Sequence, residues 1–147
     1  MKNIVHMMLC VLLGGGGVGA AQSTVAGEKV LSEPQVFPLD GMSVRRMPNG
    51  GESRNVVRGV LTTGELVGVH ESVLPVGSVP NPQHKIQHSE LILVQEGTVE
   101  FQHGDKAEKA GAGGVIYVAF GTMHTLKNVG DVPAKYFVVA IGGDMKK

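Results

Sequence analysis

The sequence predicts an all-β fold, an antiparallel sandwich or barrel, and three observations carry that expectation. Short runs rich in Val, Ile, Leu, Thr, Phe and Tyr recur from Val36 onward, and clusters of Gly, Pro, Asn and Asp separate them at close, even spacing. No segment of helix length has a helical period. The strand runs are residues 55–62, 65–74, 90–95, 98–102, 115–119, 124–129 and 134–141, with punctuation at 48–51, 75–82, 103–105, 111–114 and 130–133. Glycine is abundant because tight turns need residues that tolerate positive φ. With two Tyr, four Phe and no Trp, the core must be mainly aliphatic. That scarcity also weighs against a sugar-binding surface, which needs aromatic stacking platforms.

A chain of 147 residues has room for one domain and one core. Its first 21 residues read as a secretory signal peptide: Lys2, an apolar run over 4–13, a glycine tract, and small residues ending at Ala20 and Ala21. The apolar run is too short to span a bilayer, which takes about 20 apolar residues. The expected order is therefore signal peptide 1–21, flexible leader 22–33 and β-barrel domain 34–144. The protein is expected to be exported, periplasmic or extracellular, with no membrane attachment after cleavage.

Cleavage after Ala21 leaves 126 residues with 12 basic and 13 acidic side chains. No nucleic-acid partner is expected from that balance. Cys10 leaves with the signal, so disulfides, thiol catalysis and thiolate metal sites are excluded from the remainder. A metal would have to be held by His and carboxylate.

Five histidines remain: His70, His84, His88, His103 and His124. In an extended strand, side chains at even spacing share a face. His84, Ile86, His88 and Glu90 are then expected on one face, continued into the core by Ile92 and Val94. Two imidazoles and a carboxylate on an apolar inner face are costly unless something satisfies them, and a metal ion would do so. His124 follows the glycine turn at Gly121 and supplies a further imidazole. Two histidines and one carboxylate suit Fe(II), Mn(II) or Zn(II) and leave positions open for substrate or water.

These residues resemble the motifs of the cupin superfamily, small exported bacterial cupins in particular. Gly77, His84, Glu90 and Gly97 are similar to the first motif, and Gly113, Gly121, His124 and Asn128 to the second, with Ala119 in place of its proline. The resemblance implies a cupin-type antiparallel β-barrel, also called a double-stranded β-helix or jelly roll, and a divalent metal (Fe, Mn or Zn). It also implies a homodimer and a structural role for Asn128. The departure is Ile86, which stands where the family carries a further histidine ligand. His84, Glu90 and His124 are left as the candidate metal ligands, and His88 is either a substitute ligand or a hydrogen-bonding neighbour.

Elsewhere, His103 is expected in a solvated hairpin turn. His70 and Glu71 share a strand, and only one of them faces inward. Arg54 reads as a surface residue or as a contact for a substrate carboxylate at the barrel mouth, and Met123 as a packing residue at most near the pocket. Glu71 and His88 are candidate proton carriers. The leading functional expectation is a metal-dependent enzyme, dioxygenase or isomerase/lyase in type, on a small organic molecule. The alternative is a cupin that binds a small ligand or metal without catalysis, which Ile86 favours. A third reading is a scaffold in which a strand near Val36 extends a partner's sheet.

Overall fold

The computed structural model describes residues 27–143, so the signal-peptide segment, Cys10 and the first part of the leader lie outside the described residues. Eleven strands and no helix make up the described chain. They are β1 (Val30–Leu31), β2 (Arg45–Arg46), β3 (Glu52–Leu61), β4 (Leu66–Leu74), β5 (His84–Lys85), β6 (Ser89–Glu96), β7 (Thr98–His103), β8 (Lys106–Gly111), β9 (Val115–Val118), β10 (Met123–Asn128) and β11 (Ala134–Ile141). No helix of the described residues is long and apolar enough to cross a membrane.

The strands form two sheets. The larger runs β1-β3-β4-β11-β6-β9, with β2 paired to one end of β3, and the smaller runs β5-β10-β7-β8. The chain changes sheet between β4 and β5, between β5 and β6, at Gly97 between β6 and β7, and again at each step from β8 to β11. This is the all-β, jelly-roll arrangement expected from the sequence, although the two sheets are not joined into one closed ring of hydrogen bonds.

Period-two alternation explains where the core sits. In β11, Ala134, Tyr136, Val138 and Ala140 are buried and the residues between them are not, and β6 repeats the pattern with Glu90, Ile92 and Val94. The register sets Tyr136 beside Val94, Val138 beside Ile92, and Ala140 beside Glu90. Leu74, Ile86, Val99, Phe101, Val118 and Leu126 join Ile92, Val94, Ala134, Tyr136 and Val138 in one mainly aliphatic cluster between the sheets, and Ala140 packs with Val60 and Leu66 in a smaller one. At one end of the sandwich, Asn128 is buried and its side-chain nitrogen donates to the Leu74 and Val132 carbonyls while its oxygen accepts from the Gly130 amide. This is the structural role implied for it.

Several expectations need correction. The stretch over residues 84–94 is not one strand, because β5 belongs to the small sheet and β6 to the large one, with residues 86–88 crossing between them. Val36 lies in no strand and is 90% exposed, so no edge is formed there. The sheet instead begins within the expected leader, where Val30 and Leu31 pair in parallel with Val60 and Leu61 and Glu28 meets Arg58 at 2.8 Å.

Strand β8 was not expected, since Lys106-Ala-Glu-Lys-Ala-Gly lacks β-branched and aromatic residues and is almost wholly exposed. Its hairpin pairing with β7 imposes the extended form. His103 ends β7 instead of sitting in the turn, stacks on Phe101 with ring centroids 4.7 Å apart, and meets Glu108 at 2.8 Å.

Gly97 shows how tightly a sheet crossing is built. Its φ is +74°, and a Cβ there would lie 2.9 Å from the Ala134 Cα and the Pro133 carbonyl oxygen, both backbone atoms. Gly97→Ala is expected to lower the unfolding free energy by about 1–3 kcal/mol through strain and overpacking. Urea denaturation reads this directly, and an unchanged midpoint would refute it.

Candidate functional site

The local chain path brings the sequence-predicted residues together. The turn over residues 119–122 closes with a Thr122 amide to Ala119 carbonyl bond of 3.1 Å, and Gly121 takes a φ of +78° within it. The Gly121 amide then donates to the Ile86 carbonyl at 3.1 Å, and the Ile86 amide points at the Thr122 carbonyl at 3.4 Å. These contacts fasten the crossing segment after β5 to the start of β10, where His84 and His124 are direct cross-strand partners.

The rings of His84 and His124 lie 4.7 Å apart between centroids. His124 Nε2 is 3.7 Å from Glu90 Oε2, and His88 Nε2 is 2.8 Å from Glu90 Oε1. All four candidate residues thus converge, by cross-strand pairing and a change of sheet, not by the shared strand face expected. His124 and Glu90 are buried, His88 is half-buried and His84 is exposed at the rim. Ile86, at the position where a histidine was missing, is buried in the main apolar cluster.

The donor set fits a divalent cation in its chemistry. In both His84 and His124, Nδ1 faces the carbonyl oxygen two residues earlier, of Pro82 and Thr122, at 3.4 Å. An N–H held on that side leaves Nε2 as the lone-pair nitrogen, the form in which imidazole binds metals. Burial, with the nearby His84 and His88, lowers the pKa of His124 against the opposing pull of Glu90, which keeps the ring neutral. His88 Nδ1 is buried with no hydrogen-bond partner, a second lone pair or proton left unsatisfied beside Glu90. As placed, no group of three or more His, Asp or Glu side chains among the described residues already has the geometry to hold a metal.

A cavity of about 210 Å³ opens over this cluster, lined by His70, His84, Glu90 and His124 together with Arg45, Ser72 and Tyr136. It continues outward into a wider space of about 820 Å³ that shares Arg45, His70, His84 and Glu90 and adds His88 and Lys85. The inner space suits a molecule smaller than a typical drug-sized ligand.

Alternation in β4 settles which neighbour faces inward: His70 and Ser72 line the cavity, whereas Glu71 lies on the opposite face. Burial, with Arg45 and His88, lowers the His70 pKa despite Glu90, so His70 is neutral near pH 7. Glu71 is held by Arg54, 2.6 Å from Nη1 to Oε2, and Arg54 also approaches Glu52 at 3.5 Å. Neither the proton-carrier reading of Glu71 nor the substrate-contact reading of Arg54 survives this pairing. Met123 is 47% exposed and lines neither space.

Sequence reasoning missed Arg45, Ser72 and Tyr136. None lies in a motif, and only the register of β2, β4 and β11 carries them to the cavity.

Comparison with known proteins agrees with this geometry. Residues 70–140 match the profile of a family described as a cupin domain. No curated protein matches the chain. Among solved structures, the chain is similar to a cupin family protein with a double-stranded β-helix fold from Methanocaldococcus jannaschii. Identity is 18%, coverage 77% of this chain and 93% of that one, and the TM-score 0.57. A predicted oxalate decarboxylase from Thermotoga maritima gives 20%, 75% and 100%, and 0.60. KdgF from Halomonas sp. gives 12%, 74% and 94%, and 0.62. At these identities the likeness establishes the fold alone.

Tyr136 provides a test of how dry the cavity floor is. Burial pushes its hydroxyl up to about 12, with the Ser72 hydrogen bond opposing and the Glu90 charge adding. The folded protein then keeps a proton that the unfolded chain, titrating near 10, gives up. Stability should fall as pH rises from about 10 to 12, because the unfolded state binds fewer protons in that window. Urea midpoints at pH 9 and 11 should show a smaller decline for Tyr136→Phe than for the unaltered protein. Equal declines would refute the assignment.

Proposed function

The chain carries a type-2 cupin domain and belongs to the cupin superfamily, and on that premise we propose that it is an exported metal-binding protein acting on a small organic molecule. The observation that carries the reading is the convergence of His84, Glu90 and His124, with His88 behind Glu90, on the wall of one cavity. His84 and His124 would hold a divalent cation as neutral imidazoles and Glu90 as the anion, and the cation would supply a Lewis acid to a ligand oxygen. Fe, Mn and Zn all suit this donor set.

The chain's own residues supply the remainder of a reactive site. His70 is an imidazole on the cavity wall whose pKa burial lowers, so it stands there as a neutral ring able to accept a proton from a bound molecule. Tyr136 stays protonated and acts as a donor. Apolar Ile92, Leu126 and Val138 exclude water from the floor. Metal-dependent catalysis of dioxygenase or isomerase/lyase type is the leading reading. Among the structural neighbours, a predicted oxalate decarboxylase and a sugar phosphate isomerase lend it support as proteins of this fold with reactions of their own. The second reading, a ligand- or metal-binding protein without turnover, rests on Ile86, whose side chain is committed to the core. Export rests on the N-terminal sequence pattern described above.

Metal content of the purified protein, prepared without chelators, tests the first reading. Near-stoichiometric metal is expected in the unaltered protein, with loss of at least tenfold in affinity for His84→Ala and His124→Ala. A well-folded protein without metal would sink it. An equal loss for His88→Ala would make His88 a ligand, and a small one a neighbour that orients Glu90.

We also propose a homodimer through the outer face of the large sheet. Leu93, Val115, Tyr117 and Ile141 are 38%, 60%, 64% and 38% exposed on that face, and the register pairs Leu93 with Val115 and Leu91 with Tyr117. A contiguous apolar sheet face of this kind favours association. Light scattering at micromolar concentration should give twice the monomer mass, and Leu93→Lys with Tyr117→Glu should halve it. A monomeric unaltered protein would exclude the dimer.

A further inference from the structure

We infer that Arg45 anchors a carboxylate of the bound molecule, so that the cavity takes small organic acids. This deepens the proposed function and rests on its reading that the cavity holds a small organic molecule.

Strand β2 is only two residues long. In β2, Arg45 pairs with Ser53 and Arg46 with Glu52. Residues directly opposite in an antiparallel pair share a face. Ser53 is buried and lines the cavity, so Arg45 lies on the inner side. Arg46 lies on the outer side, 3.9 Å from Glu52.

The chain has four arginines. Arg46 faces Glu52, Arg54 faces Glu71 and Glu52, and Arg58 meets Glu28 at 2.8 Å. Arg45 has no carboxylate partner among the described residues, yet its charge reaches His70. It lines both the inner cavity and the wider space outside it.

Glu90 is the single acidic residue lining either space, and His88 already hydrogen-bonds it. The cavity therefore presents one guanidinium with no carboxylate partner among the described residues, in a space whose walls also carry His70, His84 and His124. A guanidinium matches a carboxylate by two parallel N–H bonds, and Arg45, exposed at the mouth of the cavity, is open to an incoming one. A guanidinium also takes phosphate bidentately, but a phosphate dianion would bring more negative charge against Glu90 than a carboxylate does, so the carboxylate is the better match. With Arg45 and the His84, Glu90 and His124 cluster lining the same cavity, an acid held by Arg45 would present its other end to that cluster.

Calorimetric titration tests this on the purified protein, both after chelation and after loading with Mn(II). The probes are malonate and succinate, their uncharged diamides and inorganic phosphate. The acids should bind at least tenfold more tightly than the diamides and than phosphate. Arg45→Gln should lose tenfold or more, Arg45→Lys should fall between, and Arg46→Gln should stay within twofold of the unaltered protein. Metal content should be unchanged in Arg45→Gln. Acids that bind Arg45→Gln within twofold of the unaltered protein, diamides or phosphate that bind as tightly as the acids, or no binding of either acid would each overturn the inference. Diamide binding insensitive to Arg45 would do so while leaving the small-molecule reading standing. Arg45-dependent acid binding in a protein that takes up no metal would support the inference and remove the metal reading.

Discussion

Strand β11 is the member on which the rest of the molecule depends. All eight of its residues pair with β4 on one side, and seven pair with β6 on the other, so a single register lays out the inner surface of the large sheet. That register puts Ser72, Tyr136 and Val94 in one row, His70, Val138 and Ile92 in the next, and Gly68, Ala140 and Glu90 in the third. Side-chain volume is smallest in the third row, and the core gives way to a cavity where Gly68 and Ala140 flank Glu90. A one-residue slip of β11 would turn its buried face to solvent.

The same alternation sorts the charges. Glu71 and Arg54 face outward and hold each other, whereas their chain neighbours His70 and Ser53 face the cavity. A buried polar group is tolerable only when something satisfies it. On the outer face the arginine and the glutamate do that for each other. On the inner face Glu90 draws on His88 and approaches His124, and Arg45 and His88 Nδ1 keep unused hydrogen-bonding capacity. That unused capacity collects at the side of the sandwich where residues 86–88 and 119–122 cross between sheets.

The histidine and glutamate cluster was legible in the sequence because its residue types are out of place among Ile and Val. Its residues meet by a route that local spacing does not show. His84 and Glu90 lie on different sheets, and it is the Gly121 to Ile86 backbone contact and the His84 to His124 pairing that close the gap. Arg45 was not legible, since Arg45-Arg46 looks like any exposed basic pair. Arg54 drew attention instead, and no pattern in β3 announces that Glu71 already occupies it. Strand β8 was hidden for a related reason: its Ala, Glu and Lys residues favour helix, and only the partner strand overrides them.

The sequence alone determined the all-β class, the aliphatic core, most strand positions and the identity of the clustered imidazoles and carboxylate. These follow from period-two patterning, glycine turns and composition, which act over neighbouring residues. Tertiary structure decided which side of each strand faces the cavity, which arginine is free to meet a ligand, and what Ile86 does. Those depend on register and sheet crossing between segments tens of residues apart, and a one-residue change in pairing, invisible in local pattern, exchanges inside for outside.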